Sequence, residues 1–238
     1  MMFTAIVIIF QIILLFFLSG FVKKKLYTLF FRISKSNTAA MAGITALLYP
    51  GTVVHEVAHL VTAFILFVPV KKLTLEPERS ADGMIRAGSV EIAHVDVFRR
   101  TLVGIAPIFI GIAVLYFLTQ FLYGLPLPDA FSQAPTRGAA TVLFSNFEFR
   151  ASDFLILYLL FSISTSMFSS KKDLDAARIV LPIIVGLLIL AYLLGMPFTP
   201  VAEFLSTAES FVQILVNLLI IPLILHVLIA GLLALVVK

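Results

Sequence analysis

Long apolar runs fill most of the chain, and short polar segments separate them. A run of about 20 apolar residues is typical of a helix that crosses a bilayer. The pattern therefore predicts an all-α polytopic membrane protein with about six transmembrane helices and a small β-hairpin or sheet. The predicted spans cover residues 3–22, 38–68, 101–122, 151–168, 179–197 and 210–237.

We expect these spans to form one membrane-embedded domain, residues 1–238. Its five parts are an N-terminal span with an interfacial segment (1–37), a helix (38–69), a surface hairpin (70–98), core spans with a polar loop (99–197) and a C-terminal span (198–238). In the first part, the run Lys23-Lys24-Lys25 should end the span, and residues 26–31 should lie along the interface.

The second predicted span is interrupted by Pro50-Gly51. Proline removes a helical hydrogen bond, so this span is either kinked or a re-entrant pair of half-helices. Ser36-Asn37-Thr38 offers an N-cap for it. After the span, alternating polar and apolar residues at 72–76, the turn pair Asp82-Gly83 and residues 88–92 predict a hairpin. Its open edge would suit an extended peptide, although an ordinary connecting hairpin has the same pattern.

Composition supports the membrane assignment, since the chain is 61% hydrophobic and 13% charged, against about 45–50% and about 25% in soluble domains. The net charge of +4 comes from residues in loops beside the spans, which indicates membrane orientation and no nucleic-acid partner. The chain has no cysteine, so any metal must be held by histidine and carboxylate.

Two histidines and a glutamate lie within five positions of the second span, as His55-Glu56-Val57-Ala58-His59. Histidines four residues apart share one helix face and can bind one metal ion, and the glutamate beside them can take a proton from bound water. Random placement of the chain's residues would give this H-E-x-x-H pattern about 0.002 times. The alternative is a packed helix whose histidines bond to neighbours. We favour a zinc site with Glu56 as the catalytic base.

A catalytic zinc usually takes a third protein ligand from elsewhere in the sequence. Asp173 and Asp175 precede the predicted fifth span and are candidates, although acidic residues also suit a helix N-terminus. Glu148 is a rival, which simple topology places on the opposite face. His226, inside the last span, is a weaker candidate for an auxiliary or supporting role.

These residues resemble the site-2 proteases, a family of zinc metalloproteases that cleave substrates within the membrane. The resemblance covers about residues 50–182. Leu174-Asp175-Ala176 is similar to the family's Leu-Asp-Gly motif, with alanine in place of glycine, and Ser170-Lys171-Lys172-Asp173 is similar to the pattern of another branch. The resemblance implies Asp173 as the third ligand, with Asp175 as the alternative. It also implies a membrane-protein substrate, cleaved in or near its transmembrane segment.

Two other functions fit the same motif. A membrane gluzincin of the CAAX-processing type would use Glu148 as its third ligand. A metal transporter or non-catalytic metal-binding protein would use the histidines without hydrolysis, but its path should place polar residues on several spans. The first and fifth predicted spans are nearly devoid of them.

The distribution of basic residues predicts the orientation in a cell or inner membrane. With six simple spans and the hairpin inside, ten of the seventeen Lys and Arg residues lie on the cytoplasmic side, the side that basic loops favour. The metal site then faces the cytoplasm. The H-E-x-x-H helix and the Asp173/Asp175 loop lead to the same face, so they can share a site.

Overall fold

The computed structural model describes residues 2–74, 78–79, 85–86, 88–93, 95–123, 151–167 and 199–237. In chain order its elements are α1 (Met2–Ser34), α2 (Asn37–Ile65), β1 (Val70–Thr74), β2 (Glu78–Arg79), β3 (Ile85–Arg86), β4 (Ser89–Ile92), α3 (Val97–Tyr123), α4 (Ala151–Ser166) and α5 (Thr199–Val236). Four helices, α1, α2, α3 and α5, are long and apolar enough to cross a membrane, and α4 is a shorter apolar helix. A helical membrane protein with a small sheet is therefore confirmed. The predicted span at 179–197 lies outside the described residues.

The helices pack around a shared apolar core to which α1, α3, α4 and α5 each contribute a fully or nearly fully buried leucine: Leu15, Leu115, Leu160 and Leu219. α1 and α5 run in the same direction. The Gln11 amide donates to the Val216 carbonyl at 3.2 Å, and the Lys25 ammonium, further along α1, donates to the Val237 carbonyl at 2.5 Å. Because α2 follows α1 after only two residues, it returns antiparallel to this pair.

α1 does not end at Lys23-Lys24-Lys25, where the predicted span ends, but continues to Ser34. Residues 26–31, which are predicted to lie along the interface, form part of the last turns of this same helix. Leu26 is buried in a cluster with Ile44 and Leu48 of α2. Lysine is a good helix former, so a run of lysines ends an apolar stretch without ending the helix.

α2 is one continuous helix through Pro50-Gly51 and is not divided into two half-helices. The predicted N-cap is confirmed, since the Ser36 hydroxyl accepts a hydrogen bond from the Ala39 amide at 3.4 Å. The helix has 29 residues, which corresponds to a length of about 43 Å and exceeds the roughly 30 Å hydrocarbon core of a bilayer.

Side chains of α4 bond the α2 backbone on both sides of Pro50. The Tyr158 hydroxyl donates to the Leu47 carbonyl at 2.9 Å, and the Gly51 amide donates to the Ser162 hydroxyl at 3.0 Å. A Cβ at position 51 would lie 2.0 Å from the Ser162 carbonyl oxygen, so only glycine allows this approach. The polar groups beside the proline are thus paired by protein inside the apolar bundle.

The predicted hairpin is present as an antiparallel pair of β1 with β4, in which Thr74 lies opposite Ser89. A second antiparallel pair joins β2 and β3. The first pair runs back along α2, because a Cβ built at Gly88 would lie 2.9 Å from Glu56. Glu56 lies nine residues before the end of α2, a distance of about 13 Å along the helix. The sheet therefore reaches the level of the H-E-x-x-H segment.

Candidate metal centre

His55 and His59 lie on successive turns of α2, and their side chains meet. The two Nε2 atoms are 3.1 Å apart, and the rings stand nearly perpendicular with centroids 4.7 Å apart. Both residues are buried, with 5% and 6% of their surface exposed. The predicted pairing of these imidazoles on one helix face is therefore observed, and the face points into the protein.

The orientation of His59 is set by α3. Its Nδ1 lies 2.8 Å from the Val103 carbonyl oxygen. A carbonyl only accepts, so Nδ1 carries the proton and donates it. In a neutral imidazole, Nε2 then carries the lone pair, and this is the atom that faces His55. A ring N–H held by a backbone carbonyl is the usual support of a metal-binding histidine.

The separation of the two Nε2 atoms fits a shared zinc ion. With zinc–nitrogen bonds of about 2.05 Å, nitrogens 3.1 Å apart subtend an angle of about 98° at the metal, close to the tetrahedral value of about 109°. The same distance also suits a direct hydrogen bond between the imidazoles if His55 Nε2 is protonated. A shared zinc ion and a direct hydrogen bond therefore fit the same distance, and a measurement of zinc binding distinguishes them.

Glu56 lies beside the histidine pair and is 3% exposed. The hairpin covers it, since a Cβ at Gly88 would lie 2.9 Å from both Cγ and Oε1 of Glu56 and 3.0 Å from the Thr74 carbonyl oxygen. A side chain at position 88 would therefore displace the glutamate or strain the pairing of β1 with β4. Because Gly88 has no side chain, the Glu56 carboxyl group can lie directly against the sheet.

Within the parts of the chain that the structure describes, no group of three His, Cys, Asp or Glu side chains is placed to hold a metal. The predicted third ligand Asp173, its alternative Asp175 and the rival Glu148 lie outside the described residues. The helix that precedes the two aspartates is described. It ends beside the site, because a Cβ at Gly51, one turn before His55, would lie 2.6 Å from the Ser166 hydroxyl.

His226 lies between α4 and α5 and not beside the other histidines. Its Nδ1 donates to the Pro222 carbonyl at 2.8 Å, and its Nε2 lies 3.0 Å from the Thr165 hydroxyl. Its ring is also 5.2 Å from that of Phe161. Both ring nitrogens are thus bonded within the interface. The structure therefore places His226 in the contact of α5 with α4 and does not bring it to His55 and His59.

Sequence reasoning missed two groups of this site, the Val103 carbonyl and Gly88. Gly88 gave no local signal, because its role depends on the sheet folding back along α2. Val103 gave one: Pro107 follows four residues later inside a predicted span, and a proline leaves the carbonyl four residues earlier without its helical donor.

The residues of α2, α3 and the hairpin therefore bring together two imidazole nitrogens that face each other, a carbonyl that supports one of the rings, and a covered carboxyl group. No family model matches the chain, and no curated protein and no solved structure matches it either.

Proposed function

We propose that this membrane protein is a zinc-dependent intramembrane endopeptidase, similar in its chemistry to the site-2 proteases. The observation that supports the proposal is the geometry of the H-E-x-x-H segment. Two buried imidazoles present their Nε2 atoms 3.1 Å apart, and a glutamate stands next to them inside an apolar helix. Ionisable groups at such depth cost roughly 2.5 kcal/mol or more, so they are seldom present without a role.

His55 and His59 would hold the zinc, with Asp173 as the third ligand and Asp175 as its alternative. When bound, zinc supplies a Lewis acid that polarises a carbonyl group and makes water acidic enough to lose a proton near neutral pH. Glu56 takes the proton of the attacking water and later delivers it to the leaving amine. The apolar surroundings keep other water away from the carboxyl group.

Chain connectivity supports a ligand from the segment after α4. α4 ends at Ser166, beside Gly51, which is one turn from His55. Asp173 lies seven positions after Ser166, and an extended chain of that length spans up to about 24 Å. Asp173 and Asp175 are therefore within reach of the histidine pair.

The location of the site inside a bundle of apolar helices indicates the class of substrate. A site inside a helical bundle is accessible to other membrane proteins, and a substrate helix must unwind locally before its peptide bonds can be attacked. Among the described residues, β1 and β4 pair only with each other, and Gly88, next to β4, approaches Glu56. An unwound segment that adds to this sheet as a further strand would lie near the site. The basic residues of the loops favour a cytoplasmic orientation of the site.

Zinc binding is the first test. The protein purified in detergent should bind one zinc ion per chain, measured by elemental analysis and by competition with a chromogenic chelator. His55→Ala and His59→Ala should each abolish tight binding, and Glu56→Gln should retain it. Asp173→Ala, Asp175→Ala and Glu148→Ala, measured in the same way, identify the third ligand. Wild-type protein without affinity for zinc would mean that the two Nε2 atoms form a hydrogen bond and not a metal site.

Proteolysis is the second test, and it can be carried out on the whole set of membrane proteins in a cell. Membranes from cells that express the wild-type protein should contain new protein N-termini in or beside transmembrane segments. Membranes with the Glu56→Gln variant, which keeps the zinc ligands, should lack them. If no such termini appear although the protein binds zinc, the endopeptidase proposal fails, and zinc uptake by vesicles would then test transport.

A further inference from the structure

The hydrogen bond that orients His59 uses a carbonyl that has lost its usual partner. In an α-helix, the carbonyl of a residue accepts from the amide four residues later. For Val103 that residue is Pro107, which lies inside α3 and has no N–H. The Val103 carbonyl instead accepts the Nδ1–H of His59 at 2.8 Å.

Proline acts on this carbonyl in a second way. Its ring crowds the carbonyl oxygen four residues earlier and tilts it away from the helix axis. Val103 and Pro107 are both buried, so water is not at hand to pair the carbonyl, and an unpaired one would be costly. The oxygen is therefore both available and directed outward, and His59 of α2 supplies the donor.

From this geometry we infer that Pro107 is a positioning residue for the metal site. By leaving the Val103 carbonyl to His59, it holds the imidazole in the Nδ1–H tautomer and keeps the Nε2 lone pair facing His55. With an ordinary amino acid at position 107, the new amide would compete for the carbonyl and draw it back towards the helix axis. The zinc part of this inference rests on the proposed function, whereas the tautomer of His59 does not.

The test compares Pro107→Ala and Pro107→Ser, which both restore the amide, with Pro222→Ala. Pro222 is the matched control, because it is also a buried proline inside a long helix, α5. The tautomer of His59 is measured by ¹⁵N NMR of the metal-free full-length chain with labelled histidine, assigned with a His59→Gln variant. Zinc affinity is measured by chelator competition, and thermal stability by far-UV circular dichroism.

In the wild-type protein, His59 should carry its proton on Nδ1, and that proton should exchange slowly. In both Pro107 variants the Nδ1–H population should fall, and zinc affinity should drop by about 10- to 100-fold, as when other supports of metal-binding histidines are lost. Thermal stability should stay equal or rise, because alanine is a better helix former than proline. Pro222→Ala should change neither the tautomer nor the affinity.

A positioning residue is recognised by a fall in zinc affinity without a fall in thermal stability. If Pro107 only stabilised the fold, its replacement would lower zinc affinity and thermal stability together. Unchanged tautomer and zinc affinity in the Pro107 variants would overturn the inference, since the carbonyl would then serve both donors. A wild-type His59 protonated on Nε2 would overturn it without any variant, which covers the case that the variants do not fold. If the Pro107 variants show the expected tautomer shift but the wild-type chain has no affinity for zinc, the proposed function fails and the role of Pro107 in orienting His59 stands.

Discussion

The bond between Ser162 and Gly51 should contribute measurably to stability, because it is a buried hydrogen bond that joins α4 to α2, one turn before His55. Ser162→Ala leaves the buried Gly51 amide without the hydroxyl that accepts from it at 3.0 Å. An unsatisfied buried donor costs about 1–3 kcal/mol in soluble proteins, but interhelical hydrogen bonds in membranes average about 0.6 and reach about 1.7 kcal/mol. We therefore expect Ser162→Ala to lower the free energy of unfolding by about 1–2 kcal/mol.

Ser164 provides a matched control. It is as fully buried as Ser162, but its hydroxyl donates to carbonyls of its own helix, those of Leu160 at 2.6 Å and Phe161 at 3.1 Å. Such back-bonding slightly destabilises helices, so Ser164→Ala should lower the free energy of unfolding less than Ser162→Ala does. Both variants remove one oxygen atom, so the loss of packing is equal and cancels in the comparison.

The assay is reversible unfolding in mixed micelles with a rising fraction of denaturing detergent. Far-UV circular dichroism reports the helical content, because the chain has no tryptophan for fluorescence. Ser162→Ala should move the midpoint to a lower detergent fraction than Ser164→Ala. Equal shifts would show that the bond to Gly51 contributes nothing beyond the lost atom, and the account of the α2–α4 contact would be wrong.

Three further predictions concern the hairpin, the contact between α4 and α5, and the start of α3. Under the proposed function, Gly88→Ala should slow proteolysis by about 10- to 100-fold, because the new Cβ displaces the Glu56 carboxyl group, and should leave zinc affinity unchanged. Gly231→Ala, where a Cβ would meet nothing within 4 Å, is the control, and equal rates in both variants would contradict the reasoning. Thr165→Val removes the partner of His226 Nε2 and should lower the free energy of unfolding by about 1–2 kcal/mol. Zinc affinity should not change, and a loss of it would link His226 to the candidate metal site. Asp96→Ala removes the carboxylate that accepts from the Arg99 amide at 3.0 Å at the start of α3. It should lower the free energy of unfolding by about 0.5–2 kcal/mol in the same assay. An unchanged midpoint would show that the cap is dispensable.

The features predicted correctly from the sequence are those with a local cause. A helix inside a bilayer needs a long apolar run whatever its neighbours are, so residues 101–122 and 210–237 are recognisable. The first range lies within α3, and all but the last residue of the second lies within α5. The pairing of His55 with His59 needs only the helical repeat. The strands around Leu73 and Val90 follow from alternation over a few residues.

The errors and omissions have causes that are distant in the sequence. The lysines end the apolar run and so suggest the end of α1, yet the helix continues where Leu26 can pack against α2. His226 is a ligand candidate by sequence, but its ring nitrogens are bonded to Pro222 and Thr165. In both cases the outcome depends on which helix is the neighbour.

By itself, then, the sequence determined that this is a helical membrane protein with a candidate zinc motif, because span length and the spacing of two imidazoles are set within a single helix. Only the tertiary structure decided which way that motif faces, that the Val103 carbonyl orients His59, and that Gly88 brings the sheet against Glu56. These contacts join segments that are 32 and 44 residues apart. The physical reason is that packing between distant segments, and not local preference, brings these groups together. Packing determines that the carbonyl freed by Pro107 meets His59 and that a residue without a Cβ meets Glu56.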